Sequence, residues 1–256
     1  MKIKKIFFLP LFCILMLSFT LQSFGNAGAA SWYIKRNGGR RPVLDLSQEI
    51  ILEHGGYYLD PKVSDDSSDR VIYLTFDAGY ENGNIEKILD VMKEEGVNGA
   101  FFVLSHLIVK NTDLVKRMAE DGNLVCNHTC SHKDMTKFSR EQMTDELRRL
   151  EDLYREKTGY ELAKYYRPPE GKYSEENLIC ASDAGYKTVF WSFAYADWDN
   201  EKQPDPDAAK AKILENTHNG EIILLHPTSA TNAAILGDLI REWKKLGYRF
   251  GTLDEL

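Results

Sequence analysis

Apolar and polar positions in residues 70–256 follow two alternating patterns along the chain. Short runs rich in β-branched and aromatic residues predict buried strands, and runs with apolar residues every three or four positions predict helices. The predicted strands are 71–76, 100–104, 124–126, 165–166, 187–191, 221–225 and 248–250. The predicted helices are 84–95, 113–121, 139–157, 174–185, 207–216 and 232–246. Strands and helices that alternate over short connections predict an α/β fold, here a distorted (β/α) barrel of about seven or eight parallel strands.

The first thirty residues have the pattern of an export signal. Lysines begin the chain, the run 6–21 is almost wholly apolar, and small residues fill 26–30. This order is typical of a secretory signal peptide that is cleaved after one of the alanines in 27–30. The alternative is an uncleaved membrane anchor, but the apolar run is short for a membrane span and Pro10 interrupts it. We therefore expect a secreted protein with no membrane segment after cleavage.

The rest of the chain divides into an extension and one large domain. Residues 31–69 show no sustained period and contain the polar run 64–69, which predicts an N-terminal extension and linker before a domain of residues 70–256. The formal net charge of the whole chain is −7, and the signal peptide contains lysines but no acidic residue. Such an acidic chain without a basic stripe argues against nucleic acid as a partner. We expect a monomer.

The cysteines do not form a disulfide framework. Of four in the chain, Cys13 lies in the signal, which leaves Cys126, Cys130 and Cys180. Three is an odd and low number for an exported protein. A local pair of Cys126 and Cys130 is one alternative, but we expect all three to remain thiols.

Chemically useful side chains come just after five of the predicted strands. They are Asp77, His128, Arg167, Asp197 and His226. The carboxyl ends of the strands in a βα barrel share one face, and that face is where catalysis takes place. The sequence therefore predicts that these side chains converge on a single site.

The segment 128–132 places two imidazoles, His128 and His132, four positions apart. Neutral imidazole is a ligand for zinc and similar metals, and two such rings can meet on a helical turn or from a tight loop. A pair of structural histidines is the plain alternative. Cys126 and Cys130 lie among them and raise a structural Cys2His2 zinc site, but spacings of two between ligands are too tight for the usual closed site.

Asp77 places a carboxylate at the end of a buried strand, where a charge needs a partner. A helix-cap or turn aspartate is the alternative. Arg167 is the candidate partner, and it would keep Asp77 ionised and able to take a proton from water.

His226 repeats this arrangement after the strand 221–225. Asp197 is available to orient its ring, which makes the histidine a candidate general acid. A lone histidine is more often structural. Trp198 would supply an apolar wall, whereas we expect Trp191 to belong to the core.

Taken in order, the motifs T-F-D, H-T-x-x-H, R-P-P-x-G, D-W and L-L-H resemble the NodB-type polysaccharide deacetylases of carbohydrate esterase family 4, over roughly residues 70–256. The segments 75–83, 190–192 and 32–36 most resemble the sporulation N-acetylmuramic acid deacetylases, also called δ-lactam biosynthetic de-N-acetylases. The resemblance implies removal of the N-acetyl group from muramic acid in the peptidoglycan glycan strand. It also implies a role on the way to the muramic δ-lactam, in the cell wall or spore cortex space.

The resemblance also implies individual roles. Asp77 would be the general base, tethered by Arg167, and His226 the general acid, oriented by Asp197. The implied metal ligands are His128 and His132, for a divalent metal with zinc as the first expectation. The implied substrate contacts are Trp198, Glu170, Tyr80 and Asn82.

Three positions depart from the family pattern. Ala78 replaces an aspartate that usually binds the metal, so two histidines alone should bind metal weakly; the muramic subgroup shares this change. Glu170 occupies a position where that subgroup can carry a base, and its charge would repel the lactyl carboxylate of muramic acid. Ala194 replaces the first aspartate of D-x-x-D-W.

Two alternatives follow from these departures. The first is the same chemistry on N-acetylglucosamine polymers or acetylated xylan. The second is a non-catalytic glycan-binding protein, against which the intact base and acid positions, Asp77 and His226, argue.

Overall fold

The computed structural model describes residues 28–256, so nearly all of the predicted signal peptide lies outside the described residues. The strands are β1 (Ala30–Ser31), β2 (Val71–Ala78), β3 (Ala100–Val103), β4 (Leu124–Asn127), β5 (Ala163–Tyr166), β6 (Lys172–Tyr173), β7 (Lys187–Thr188), β8 (Glu221–Leu225) and β9 (Arg249–Phe250). The α-helices are α1 (Ile50–Glu53), α2 (Ile85–Glu95), α3 (Ser105–Lys110), α4 (Thr112–Glu120), α5 (Arg140–Thr158), α6 (Glu175–Asp183), α7 (Pro206–Asn216) and α8 (Ala230–Lys245). Short 3-10 turns lie at Leu46–Gln48, Met135–Lys137, Pro169–Gly171 and Leu253–Glu255.

The main sheet has seven strands, and all its pairings are parallel. Six strands follow the order β7-β5-β4-β3-β2-β8, and β9 pairs with the first residues of β2. The sheet curls into a half-barrel surrounded by helices. The predicted distorted (β/α) barrel is therefore confirmed.

Strand β2 is buried on both faces, which explains its unbroken apolar sequence. Ile72, Leu74 and Phe76 pack in the larger core, together with the apolar faces of α2 and α8. Val71 and Tyr73 belong to a second cluster formed with the facing residues of other strands. Successive strand residues point to opposite faces, so Asp77 belongs to the same face as Val71 and Tyr73.

The structure differs from the sequence prediction mainly at short elements. The strand predicted over 187–191 is regular only at Lys187–Thr188, because Val189 and Phe193 then form isolated bridges to Tyr57 and Ile223 instead of extending β7. Helix α3 has six residues, and a helix this short leaves no clear period in the sequence.

The N-terminal extension packs closely on the barrel. Strand β1 pairs antiparallel with β6, and Trp32 and Ile51 share a core cluster with Phe190. The extension therefore supports the loop that precedes β6. None of the helices within residues 28–256 is long and apolar enough to cross a membrane.

Candidate active site

A cavity of about 630 Å³ opens at the carboxyl ends of the parallel strands. Seven of the ten site residues predicted from the sequence line it: Asp77, Tyr80, His128, His132, Glu170, Trp198 and His226. Two others, Arg167 and Asp197, lie behind the lining residues that they contact. The strand-end side chains thus come together, as their positions in the sequence predict.

Arg167 is fully buried and satisfies its charge within the barrel. Its Nη1 donates to Oδ1 of Asp77 at 2.8 Å, its Nη2 to the hydroxyl of Thr75 at 2.9 Å, and its Nε to the carbonyl of Val189 at 3.0 Å. The guanidinium also lies 4.1 Å from the centre of the Phe102 ring. A buried charge persists only with such partners, so Arg167 holds Asp77 in one orientation.

The surroundings of Asp77 keep its carboxyl ionised. Burial by itself raises the pKa of Asp77, but the charge and hydrogen bond of Arg167, together with the charge of His226 when it is protonated, outweigh burial, and the net pKa is lowered. Since only Oδ1 is bonded to Arg167, Oδ2 remains available on the cavity side, 3.5 Å from Nε2 of His128. An ionised carboxylate in this position can accept a proton from a nearby water.

His226 is oriented by two bonds to one carboxylate. Its Nδ1–H donates to Oδ1 of Asp197 at 2.7 Å, and its backbone N–H donates to Oδ2 at 2.8 Å. Burial lowers the pKa of His226. The hydrogen bond and the charge of Asp197 raise the pKa by more than burial lowers it, so the net pKa is raised. With Nδ1 engaged, Nε2 is the nitrogen that can exchange a proton in the cavity.

Asn232 on α8 completes this arrangement, and sequence reasoning missed it. Its side-chain amide donates to Oδ2 of Asp197 at 2.6 Å and to the carbonyl of His226 at 3.1 Å. The hydroxyl of Tyr195 donates to Oδ1 of Asn232. No sequence motif marks Asn232, because its contacts depend on the packing of α8 against the loop after β8.

His128 has the protonation pattern of a metal ligand. Its Nδ1 is 2.8 Å from the carbonyl oxygen of Arg167; since a carbonyl only accepts, Nδ1 carries the hydrogen and the lone pair of Nε2 is available. Burial lowers the pKa of His128 to about 4, which keeps the ring neutral. The ring centres of His128 and His132 are 4.9 Å apart.

A tight loop, and not a helical turn, brings these two imidazoles together. Thr129 and His132 have φ angles of 71° and 54°, a region that costs non-glycine residues about 1–3 kcal/mol each. The side chain of Asn127 accepts the N–H of Thr129, whose hydroxyl accepts the N–H of His132. Local hydrogen bonds therefore hold the strained loop in place.

The metal-binding potential of the site rests on two imidazoles. Within residues 28–256, no three His, Cys, Asp or Glu side chains converge closely enough to form a metal site. The same finding excludes the Cys2His2 alternative. Cys126 belongs to the second cluster, with Val71 and Tyr73, whereas Cys130 packs against the larger core. Both are free thiols, as is Cys180. The donor chemistry of the histidines fits a divalent metal with incomplete protein coordination.

Glu170 lines the cavity from the turn Pro169–Gly171, with a φ angle of 56°. Its Oε2 is 2.5 Å from Nζ of Lys172, which also lies 3.7 Å from Oδ2 of Asp134. The charge of Glu170 is therefore paired on the side of β6.

The aromatic lining differs in part from expectation. Trp198 is 60% exposed, and its ring centre is 6.1 Å from that of His226. Trp191, expected in the core, is half-buried and lines the cavity. It lies on an irregular segment, where alternation does not predict burial.

Asn82, expected to contact the substrate, is absent from the cavity lining. Its side chain donates to the carbonyl of Thr228 at 2.8 Å, so it holds the loop after His226.

The family model for polysaccharide deacetylases matches residues 64–189. The peptidoglycan-N-acetylmuramic acid deacetylase PdaA of Bacillus subtilis is 37% identical over 228 residues, which cover 88% of this chain and 85% of PdaA. The chain belongs to the polysaccharide deacetylase family. An uncharacterized 30.6 kDa protein of Geobacillus stearothermophilus is 39% identical over 98% of this chain and 95% of its own length.

Solved structures of this family have the same architecture. The structure of Bacillus subtilis PdaA, a family 4 carbohydrate esterase, matches with a TM-score of 0.83 at 36% identity, over 89% of this chain and 96% of PdaA. A family 4 pseudoenzyme from Bacillus anthracis matches with a TM-score of 0.68 at 25% identity, over 74% of this chain and 66% of that chain. The resemblance drawn from the sequence motifs is confirmed: this polysaccharide deacetylase is a NodB-like family 4 hydrolase that acts on amide bonds.

Proposed function

We propose that this deacetylase removes the N-acetyl group from N-acetylmuramic acid residues of peptidoglycan, outside the cytoplasm, on the way to the muramic δ-lactam of spore cortex. One observation carries the reaction: the Asp77–Arg167 and His226–Asp197 pairs open onto the same cavity. The choice of N-acetylmuramic acid as the substrate rests on the 37% identity to PdaA over most of both chains.

In the proposed reaction, Oδ2 of Asp77 accepts a proton from a water whose oxygen attacks the acetyl carbonyl carbon. The bond between that carbon and the sugar nitrogen then breaks. Nε2 of protonated His226 gives its proton to the departing nitrogen, so the products are acetate and the free amine. The lowered pKa of Asp77 favours the ionised form of the base, and the raised pKa of His226 favours the protonated form of the acid.

A divalent metal, with zinc as the first expectation, would be held by His128 and His132. The neutral ring of His128, with its Nε2 lone pair free, supports this assignment. When bound, such a metal would polarise the acetyl carbonyl and make water more acidic. With Ala78 in place of a carboxylate, two imidazoles should bind it more weakly than the usual three ligands.

The exposed rings of Tyr80 and Trp198 line the cavity and would contact the sugar, since aromatic side chains offer apolar area with a polar edge. Glu170 would lie beside the substrate with its charge reduced by Lys172.

The nearest alternative to the proposed function is the same chemistry on N-acetylglucosamine polymers or xylan. A non-catalytic protein is the more distant one, because it would need neither Asp77 nor His226.

Mass spectrometry of products separates these functions. The purified protein is incubated with peptide-free muropeptides and, separately, with chito-oligosaccharides, each with and without a chelator. We expect loss of acetyl groups from muramic acid, and a rate lower by about 10²–10⁴ in His226→Ala. The exposed His106 supplies the control variant, His106→Ala. Deacetylation of glucosamine alone would contradict the substrate, and no product from either glycan would favour the non-catalytic alternative.

A further inference from the structure

The positively charged side chains near the cavity differ in whether they already have an anionic partner. Arg167 is paired with Asp77, and Lys172 with Glu170. Arg36, in the N-terminal extension, has no carboxylate within ion-pair distance among residues 28–256; its guanidinium contacts a backbone carbonyl and an aromatic ring. Its charge is therefore available to a ligand.

Two contacts hold the Arg36 guanidinium at the edge of the cavity. Its Nη2 donates to the carbonyl of Ala194 at 3.0 Å, and Ala194 is a lining residue of the cavity. The guanidinium carbon is 5.2 Å from the centre of the Phe193 ring. Guanidinium groups stack on aromatic rings in this way and keep their remaining N–H donors free. A side chain that is already oriented loses little further freedom when it binds a ligand.

The substrate under the proposed function has a complementary group. In N-acetylmuramic acid, the lactyl ether is on the ring carbon next to the one that bears the acetamide. Its carboxylate must therefore lie close to the acetamide when that group is in the cavity. Arginine is the side chain best suited to bind a carboxylate, through two parallel hydrogen bonds. Lys172 is less suited, because Glu170 and Asp134 already surround it.

From these observations we infer that Arg36 is a specificity-determining residue that binds the free lactyl carboxylate of muramic acid, an inference that rests on the proposed function. Because a stem peptide converts this carboxylate into an amide, Arg36 would favour glycan strands from which the peptides have been removed. The N-terminal extension would thus supply a substrate contact in addition to its packing on the barrel.

A pair of substrates that differ only in this carboxylate tests the inference. One is a peptide-free oligosaccharide of alternating N-acetylglucosamine and N-acetylmuramic acid, and the other is the same glycan with each lactyl carboxyl converted to a methylamide. The measured quantity is the ratio of kcat/KM for the acid to kcat/KM for the amide. We expect Arg36→Ala to lower this ratio roughly tenfold to hundredfold, mainly through KM of the acid, and Arg36→Lys to restore part of it.

Two exposed residues supply the controls. Arg40→Ala removes an arginine from the same extension, and we expect its ratio to equal that of the unchanged protein. Lys133 is an exposed lysine next to His132, and Lys133→Ala tests whether its charge binds the carboxylate instead of Arg36. The assignment of Arg36 would be overturned if Arg36→Ala leaves the ratio unaltered, or if only Lys133→Ala lowers it. The proposed function would stand in either case. Failure of the unchanged protein to deacetylate the acid would overturn the proposed function and this inference together.

Discussion

The side-chain amide of Asn232 donates to Oδ2 of Asp197 at 2.6 Å, while Oδ1 of the same carboxylate accepts Nδ1–H of His226 at 2.7 Å. Asp197 and Asn232 are both about 1% exposed, so solvent cannot replace either bond. The Asp197 carboxylate is therefore held at both oxygens. Asn232 orients His226 through Asp197 without lining the cavity itself.

Asn232→Ala should lower kcat about tenfold or more with a smaller effect on KM. A hydrogen bond to a charged group contributes about 1.5–3 kcal/mol, and its loss leaves Asp197 and the ring of His226 less constrained. Steady-state kinetics test this, with circular dichroism to verify folding. Asn216→Ala is the matched control, because the side chain of this half-buried asparagine donates to the carbonyl of Lys212 within α7 and does not line the cavity. Normal kcat in folded Asn232→Ala would show that Asn232 does not position His226.

The activity should fall as the pH rises through the pKa of His226, because the protonated ring is the proposed acid. Asp197 raises this pKa against the opposite effect of burial. In Asp197→Asn the charge is removed and burial remains, so the alkaline limb of the kcat/KM profile should move to lower pH. Asp199→Asn, at an exposed neighbour, should leave the limb in place. An alkaline limb that stays put in Asp197→Asn would assign it to another group.

His132→Ala should abolish binding of zinc chloride measured by isothermal titration calorimetry, since a single imidazole remains at the site. His106→Ala removes another exposed imidazole, at the start of α3, and should retain the affinity of the unchanged protein. Equal affinities in the two variants would place the metal elsewhere.

Trp32→Ala should lower the free energy of unfolding by about 3–5 kcal/mol, as expected for the loss of a large buried ring. Trp32 is 6% exposed, its ring centre is 4.8 Å from that of Phe190, and its Nε1–H donates to the carbonyl of Trp191 at 3.0 Å. Chemical denaturation measures this change. Trp198→Ala, at a tryptophan that is 60% exposed, should change stability by about 0.5 kcal/mol or less. A loss in Trp32→Ala as small as that expected for Trp198→Ala would mean that the packing of Trp32 contributes little to the stability of the fold.

Local order along the chain was enough to predict the fold class and much of the site. The strand and helix periods of residues 70–256 predicted the parallel sheet, since each period reflects which faces of one element are buried. The placement of Asp77, His128, Arg167 and His226 after strands then predicted their convergence, because parallel strands direct their carboxyl ends to one face. Both predictions depend only on the strands being parallel, and not on any contact between side chains.

Tertiary packing decided the rest. Asn232, Thr75 and Arg36 contact the site residues from elements distant in sequence, and no period or motif records which side chain faces them. Trp191 was expected in the core and lines the cavity instead, because irregular backbone lacks the alternation from which burial is predicted. The sequence by itself determined which chemical groups lie at the strand ends. The curl of the sheet and the packing of α8 and the extension decided which residues orient those groups, since such contacts form only when distant segments meet.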